Sequence, residues 1–173
     1  MSNNQNLVQE LKAETIIKGE VKERIDRWIS NYPEERRKSA LMPALRIVQE
    51  TCNGYLTTEL MDQVADYLNV RPIEAYEVAT FYSMYQHKPV GRHQICLCTN
   101  LSCMLRGSDE LLEYIKNKID VNNTGEISSD GKFSVRKVEC AGACGGAPMM
   151  WIGKTYYENL TEETIDKILD DLE

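Results

Sequence analysis

Apolar residues recur at helical spacing along the first half of the chain. Between Glu20 and Ser30 they fall at Val21, Ile25, Trp28 and Ile29, one stripe of a helix. Tyr32-Pro33 ends it, because the residue before a proline is pushed out of the helical region. A second stripe, Leu41, Ala44, Leu45 and Val48, predicts a helix from about Ser39 to Thr51. Pro43 falls in its first turn, where the missing N–H is tolerated, and Asn53-Gly54 breaks it. Leu60, Val64 and Leu68, with Met61 and Ala65 beside them, predict a third helix over Thr58–Leu68, closed by Asn69 and Arg71-Pro72. Pro72 opens a fourth, running to about Tyr82 and carrying Ala75, Val78, Ala79 and Tyr82. The four make an N-terminal helical bundle. Phe81, Tyr82 and Tyr85 near its end either cap the bundle core or present a partner-docking surface.

The period changes after Lys88-Pro89-Val90-Gly91. His93 to Cys98 is short, β-prone and bounded by turn residues, which predicts a strand. Ser108 caps a helix striped by Leu111, Leu112, Ile115 and Ile119. Asn122, Asn123, Gly125 and Asp130-Gly131 are turn chemistry. Phe133 to Glu139 is a second strand. Met149–Ile152 and Thr155–Glu158, joined by Gly153-Lys154, form a hairpin. Thr161 caps a last helix striped by Ile165, Ile168, Leu169 and Leu172, with Glu162 and Glu163 in its first turn. Strand, helix, strand implies a parallel pair with a crossover. With the hairpin and closing helix added, the second half reads as a small α/β sandwich of the thioredoxin kind. The fold class is α/β (α+β). The expected organisation is a flexible N-terminal tail over 1–17, a helical bundle over 18–88 and the thioredoxin-like domain over 89–173.

Composition narrows the function. The chain has 173 residues, 42% hydrophobic and 27% charged, which is ordinary for a soluble protein able to bury a core without metal. A net charge of −7 argues against a general nucleic-acid binder. No apolar stretch is long enough to span a bilayer, and the polar N-terminus resembles neither a signal nor a transit peptide. The expected compartment is a bacterial cytosol. Clustered cysteines there are more often metal-binding or catalytic than disulfide-bonded.

Four of the six cysteines form two close pairs: Cys98-Thr-Asn-Leu-Ser-Cys103 and Cys140-Ala-Gly-Ala-Cys144. Each pair leaves the end of a strand. If the strands are neighbours, both loops open at the same end of the sheet and four sulfurs converge. Thiolate is a soft donor that suits zinc, copper(I) and iron–sulfur clusters. The spacing matches neither the commonest zinc knuckle nor the plant-type ferredoxin pattern, and no Cys-x-x-Cys is present. An iron–sulfur cluster, a zinc site and redox thiols all remain open on spacing alone. The small residues Ala141, Gly142, Ala143, Gly145, Gly146 and Ala147 let backbone pass close to a metal centre and aim N–H groups at sulfur. Cys96 shares the side of its strand with Cys98 by parity and reads as a small buried residue. Cys52 reads as structural or exposed. His87 and His93 have no place in a site already filled by four cysteines. Arg92 and Arg106 flank the cysteine loops as solvated charge, and Met149, Met150 and Trp151 read as strand core. No phosphate-cradling glycine motif and no acid–base set stands out, so NADH and flavin are not expected on this chain.

Asp130-Gly-Lys-Phe133-Ser134, five residues, then Cys140-Ala-Gly-Ala-Cys144-Gly-Gly-Ala-Pro148 resembles the small [2Fe–2S] subunit (the E subunit) of bacterial complex I, NADH:quinone oxidoreductase. Val78-Ala-Thr-Phe81-Tyr82, Pro89-Val90-Gly91-Arg92-His93, and Cys98 with Cys103 match the same family, from about residue 20 to the end. Ala141 departs from it, standing where the family commonly has a larger aliphatic residue. That loosens packing by the cluster and leaves the ligands unchanged.

The resemblance implies a thioredoxin-like domain behind a helical bundle. It implies that Cys98, Cys103, Cys140 and Cys144 hold one [2Fe–2S] cluster, which exchanges single electrons with FMN on the neighbouring NADH-binding subunit. In the family the cluster lies off the main route to quinone and stores electrons transiently. The implied partners are the FMN/NADH-binding subunit and, as a second candidate neighbour, the large iron–sulfur subunit. No nucleic acid and no direct membrane insertion are implied. The implied place is the cytoplasmic side of the bacterial inner membrane, peripherally, within the complex. Turnover is expected of the complex, not of this chain alone. Two further readings are an equivalent subunit of an NAD-linked hydrogenase or formate dehydrogenase, and a zinc-binding adaptor. A thiol oxidoreductase is a third.

Overall fold

The computed structural model describes residues 15–172. They fall into two compact units that divide between Pro89 and Val90. The expected flexible tail lies outside the described range for residues 1–14. Its last three residues depart from the expectation. The Ile16 N–H donates to Gln63 Oε1 at 2.8 Å, and Ile17 is buried in the helical core.

The first unit contains α1 (Gly19–Ile29), a 3-10 segment (Glu34–Ala40), α2 (Leu41–Thr51), α3 (Thr58–Leu68) and α4 (Pro72–Phe81). The helix expected from Ser39 starts regularly only at Leu41. A start at Ser39 would need the N–H that Pro43 lacks to reach the Ser39 carbonyl. Thr57 caps α3 by accepting from the Leu60 N–H at 3.3 Å, and Asn69 ends it in the left-handed region at φ 56°. Ile25, Leu45, Val48, Leu56, Leu60 and Leu68 are fully buried together, each contributing about 1.5–3 kcal/mol by leaving water. Trp28, expected on the α1 stripe, is 45% exposed. The expected aromatic cluster divides. Tyr85 is buried and donates its hydroxyl to the Met42 carbonyl at 2.8 Å, whereas Phe81 is 80% exposed with Tyr82 edge-on beside it.

The second unit contains β1 (His93–Cys98), α5 (Leu101–Met104), α6 (Ser108–Lys118), β2 (Phe133–Val138), a 3-10 turn (Cys144–Gly146), β3 (Met150–Ile152), β4 (Thr155–Tyr157) and α7 (Glu162–Asp171). The sheet order is β2-β1-β3-β4. β1 and β2 are parallel, in register from His93↔Phe133 to Cys98↔Val138. β3 lies antiparallel on the other side of β1 and turns through Gly153 into β4. The architecture is mixed α/β, as expected.

Alternation along the strands gives the sheet two different faces. Ile95, Leu97, Phe133, Val135, Met150 and Ile152 face one core, completed by Leu111, Leu112 and Ile115 of α6 and Ile165 and Leu169 of α7. Cys96, Cys98 and Val138 face the other way, in a smaller cluster with Cys103, Ala147 and Met149. Ser108 does not cap α6. Gly107, at φ 87°, takes the capping position, and the Ser108 hydroxyl is buried with no hydrogen-bond partner among the described residues. Thr161 does cap α7, accepting from the Thr164 N–H at 3.3 Å.

The end of the sheet away from the cysteines is locked by close backbone approach. The Gly91 N–H donates to Ser134 Oγ at 3.0 Å, and a Cβ at Gly91 would overlap the Phe133 carbonyl carbon. Gly91 is therefore required by space. Asp130 accepts from the Lys132 N–H at 2.9 Å and holds the turn into β2. Among the described residues no helix is long and apolar enough to cross a membrane.

Candidate metal centre

The parallel pairing of β1 with β2 puts the chain exits of both strands at one end of the sheet. Cys98 is the last residue of β1, opposite Val138, and Cys140 follows two residues after Val138. From Cys98 the chain enters α5. Asn100 caps this short helix, its Oδ1 accepting from the Leu101 N–H at 2.7 Å, and α5 carries Cys103. From Cys140 the chain passes through Gly142, at φ 79°, to Cys144 at the head of a 3-10 turn. Gly142 takes a backbone conformation that a side chain resists.

The four thiols lie in one neighbourhood but in unlike surroundings. Cys98 and Cys103 are buried; Cys140 and Cys144 are exposed. The Cys140 and Cys144 sulfurs stand 3.4 Å apart, and the Gly142 N–H donates to Cys140 Sγ at 3.4 Å. That donor, with the Cys144 thiol behind it, holds the Cys140 thiol below its usual range. Cys144 is pushed up, chiefly by its hydrogen bond with Cys140, while the Ser102 hydroxyl of α5 offsets part of this. Cys103 is pushed up by burial first and then by its hydrogen bond with Cys98, with Cys144 adding a smaller effect. Each arm therefore feels the other. Among the described residues no three His, Cys, Asp or Glu side chains close around a single point; the thiols stand as two pairs.

Other residues singled out in the sequence fall in and out of this neighbourhood. Cys96 packs with Cys98 and Cys103, as strand parity requires, and burial pushes its thiol up. Cys52 belongs to the helical unit, half-buried against its core. Met149 and Met150 are buried, and Trp151 is half-buried on the cysteine side of the sheet, stacked on Tyr156 at 6.0 Å. His93 lies beside the Phe133 ring at the start of β1, and His87 is near the Ala79 carbonyl at 2.9 Å. Arg106 follows α5, and its N–H donates to the Cys103 carbonyl at 3.1 Å. Arg92 does not flank the cysteines. It precedes β1, so the whole strand, about 20 Å at the usual rise per residue, separates it from Cys98.

Three contacts carry no marker in the sequence. Asn100 Nδ2 donates to Glu139 Oε2 at 2.7 Å, the Ser102 hydroxyl meets Cys144, and Tyr156 reaches the Ala141 carbonyl at 3.4 Å. The Asn100 cap itself was legible in principle, since Asn before a short turn of helix is a recognised start signal.

The chain matches the thioredoxin-like [2Fe–2S] ferredoxin family over residues 25–173. It is 42% identical over 144 residues to the E subunit of the NADH-quinone oxidoreductase of Rickettsia bellii (strain RML369-C), covering 83% of this chain and 86% of that protein. It is 39% identical over 150 residues to the E subunit numbered 2 of the NADH-quinone oxidoreductase of Rhizobium meliloti (strain 1021), covering 87% of each. It is also 35% identical over 170 residues to the mitochondrial NADH dehydrogenase [ubiquinone] flavoprotein 2 of Dictyostelium discoideum, covering 98% of this chain and 66% of that protein. Among solved structures, an NAD+-reducing [NiFe]-hydrogenase in the air-oxidized state superposes with a TM-score of 0.65 at 20% identity, over 76% of this chain and 22% of that chain. At that identity the likeness concerns the fold. By the extent of the family match and the identity to these oxidoreductase relatives, this chain belongs to the thioredoxin-like [2Fe–2S] ferredoxins.

Proposed function

We propose that this chain is the electron-transfer subunit of an NADH:quinone oxidoreductase, with one [2Fe–2S] cluster held by Cys98, Cys103, Cys140 and Cys144. The observation that carries the ligand assignment is the meeting of two thiol pairs at one end of a parallel strand pair. The donor set fits the group. Four soft thiolates suit a two-iron cluster, and two pairs supply two donors for each iron. Held there, the cluster would supply one-electron redox chemistry toward FMN on the NADH-binding partner subunit.

The chain's own residues bind, shield and present. The apolar cluster of Val138, Ala147 and Met149 keeps water from Cys98 and Cys103. The Gly142 N–H favours the charged form of the Cys140 sulfur. Cys140 and Cys144, with the exposed Leu101, Met104 and Leu105 of the adjoining arm, form an open side on which a partner can seat. In the helical unit, exposed Phe81 and Tyr82 support the docking reading of that aromatic pair. We assign the docked partner as the FMN/NADH-binding subunit, with the large iron–sulfur subunit as a second candidate neighbour. The corresponding organisation is a helical docking unit over 18–88, joined at its start by Ile16 and Ile17, and the cluster domain over 89–173, peripheral on the cytoplasmic side of the inner membrane.

The test is purification of the complex through a tag on this chain, followed by EPR after adding NADH. A flavoprotein is expected to co-purify. A reduced-state signal is expected that disappears when Cys140→Ser replaces the wild-type subunit. A chain that purifies without flavoprotein, or a signal unaffected by Cys140→Ser, would overturn the reading.

A further inference from the structure

Besides the Ser102–Cys144 contact, a side-chain bridge between Asn100 and Glu139 joins the two cysteine arms. The β1–β2 ladder extends one rung past Cys98, with the Thr99 N–H donating to the Val138 carbonyl at 3.1 Å. The next residue of each arm is Asn100 and Glu139, and their side chains meet at 2.7 Å. Asn100 thereby does two things. Its Oδ1 caps α5 through the Leu101 N–H at 2.7 Å, which sets the turn carrying Cys103. Its Nδ2 holds Glu139, the residue before Cys140.

We infer that Asn100 and Glu139 are positioning residues that clasp the two ligand arms together and fix the spacing between the Cys98–Cys103 and Cys140–Cys144 pairs. The inference rests on the proposed cluster ligation. An amide donating to a carboxylate is a charge-assisted bond, stronger and shorter than a neutral one. The bond is exposed, so its contribution to folding is small. Its leverage comes from position, because each partner is bonded directly to, or one short turn from, a ligand.

The pair permits a test that separates bridging from capping and from charge. Asp caps a helix as well as Asn does, so Asn100→Asp keeps the Leu101 contact while setting a carboxylate against Glu139. Glu139→Gln keeps a neutral amide pair. Asn100→Asp with Glu139→Gln restores a charge-assisted bond in the reverse sense, with the Gln amide donating to Asp, at the wild-type total charge.

The full chain in these four versions is loaded with cluster. Visible absorbance follows cluster loss to a chelator, and EPR of the reduced protein reports ligand geometry. Asn100→Asp is expected to lose cluster about three- to tenfold faster than wild type, in line with one lost hydrogen bond, with a broadened EPR line. Glu139→Gln changes the rate about twofold or less. The double variant returns to the wild-type rate and line shape. Melting of the cluster-free chain is expected to be alike in all four, which separates the effect from folding. A wild-type rate in Asn100→Asp, or a double variant that keeps the defect of Asn100→Asp, would overturn the clasp. A wild-type chain that takes up no cluster would instead overturn the ligation itself, and the clasp with it.

Discussion

Cys98 and Cys103 are each about 2% exposed, on a strand end and a short helix, whereas Cys140 and Cys144 sit exposed on a glycine-bearing loop. The buried pair belongs to a packed cluster with Val138, Ala147 and Met149. The exposed pair is arranged by backbone: a left-handed Gly142, an N–H aimed at sulfur, and small neighbours. The difference teaches that, on the proposed ligation, binding the cluster and folding are joined in one arm and separate in the other. Substitutions of the cysteines in the first arm are expected to damage both, and substitutions of the cysteines in the second to damage the site alone.

The largest effect is expected from the proposed ligands themselves. Cys98→Ser and Cys140→Ser both reduce iron and acid-labile sulfide to background. In the cluster-free chain they part company. Cys98→Ser buries a hydroxyl in an apolar cluster and costs about 1–3 kcal/mol in urea unfolding, whereas Cys140→Ser stays within about 0.5 kcal/mol of wild type. Equal losses of stability would remove the distinction between the arms.

Thiol reactivity sharpens it next. The thiolate is the nucleophile. Cys140, held down by the Gly142 N–H, is expected to alkylate with a pH midpoint below that of an ordinary thiol. Cys103, pushed up by burial, is expected to titrate above it and to react slowly throughout. The sign for stability follows. The folded chain binds the Cys103 proton more tightly than the unfolded chain, so this contribution is fully present below the ordinary thiol range and is lost as pH rises through the folded value. Mass spectrometry of alkylated peptides across pH checks the order.

A smaller effect is expected at Gly142→Ala. The left-handed backbone costs a side chain about 1–2 kcal/mol, and relaxing it withdraws the N–H from Cys140 Sγ. Cluster loss is expected to quicken about tenfold, the factor that about 1.4 kcal/mol corresponds to, with the helical unit untouched. Smallest of all is Tyr156→Phe. Its 3.4 Å contact with the Ala141 carbonyl is long and exposed, and a cluster-loss rate within about twofold of wild type is expected.

How much of this could be read from the sequence follows the same division. Periodicity closed by Asn69 placed α3 at about Thr58–Leu68, and β-prone residues between turn residues placed β1 at His93–Cys98, as the structure has them. The parallel pairing that brings the arms together followed from strand–helix–strand order. Local ambiguity misled at Ser108. A serine before an apolar stripe reads as a cap, yet Gly107 adopts the φ of 87° that the turn demands and pushes the serine inside the helix. α5 has only four residues, too few to show a period, so the sequence gives no sign that Cys103 sits on a helix. The bridge from Asn100 to Glu139 joins residues 39 apart and leaves no local trace.

The family motifs also divide by purpose. Pro89–His93 and Asp130–Ser134 meet each other at the end of the sheet away from the thiols, through Gly91 and Ser134. Their likeness to the family reflects close packing of backbone. The likeness around Cys140–Cys144 falls on one arm of the proposed site.

The measurement that tests the central claim most directly is iron, acid-labile sulfide and zinc content of the anaerobically purified full chain, with EPR before and after dithionite. Two irons and two sulfides per chain, with a signal that appears only on reduction, are expected. One zinc per chain, no iron after reconstitution and no EPR signal would contradict the account.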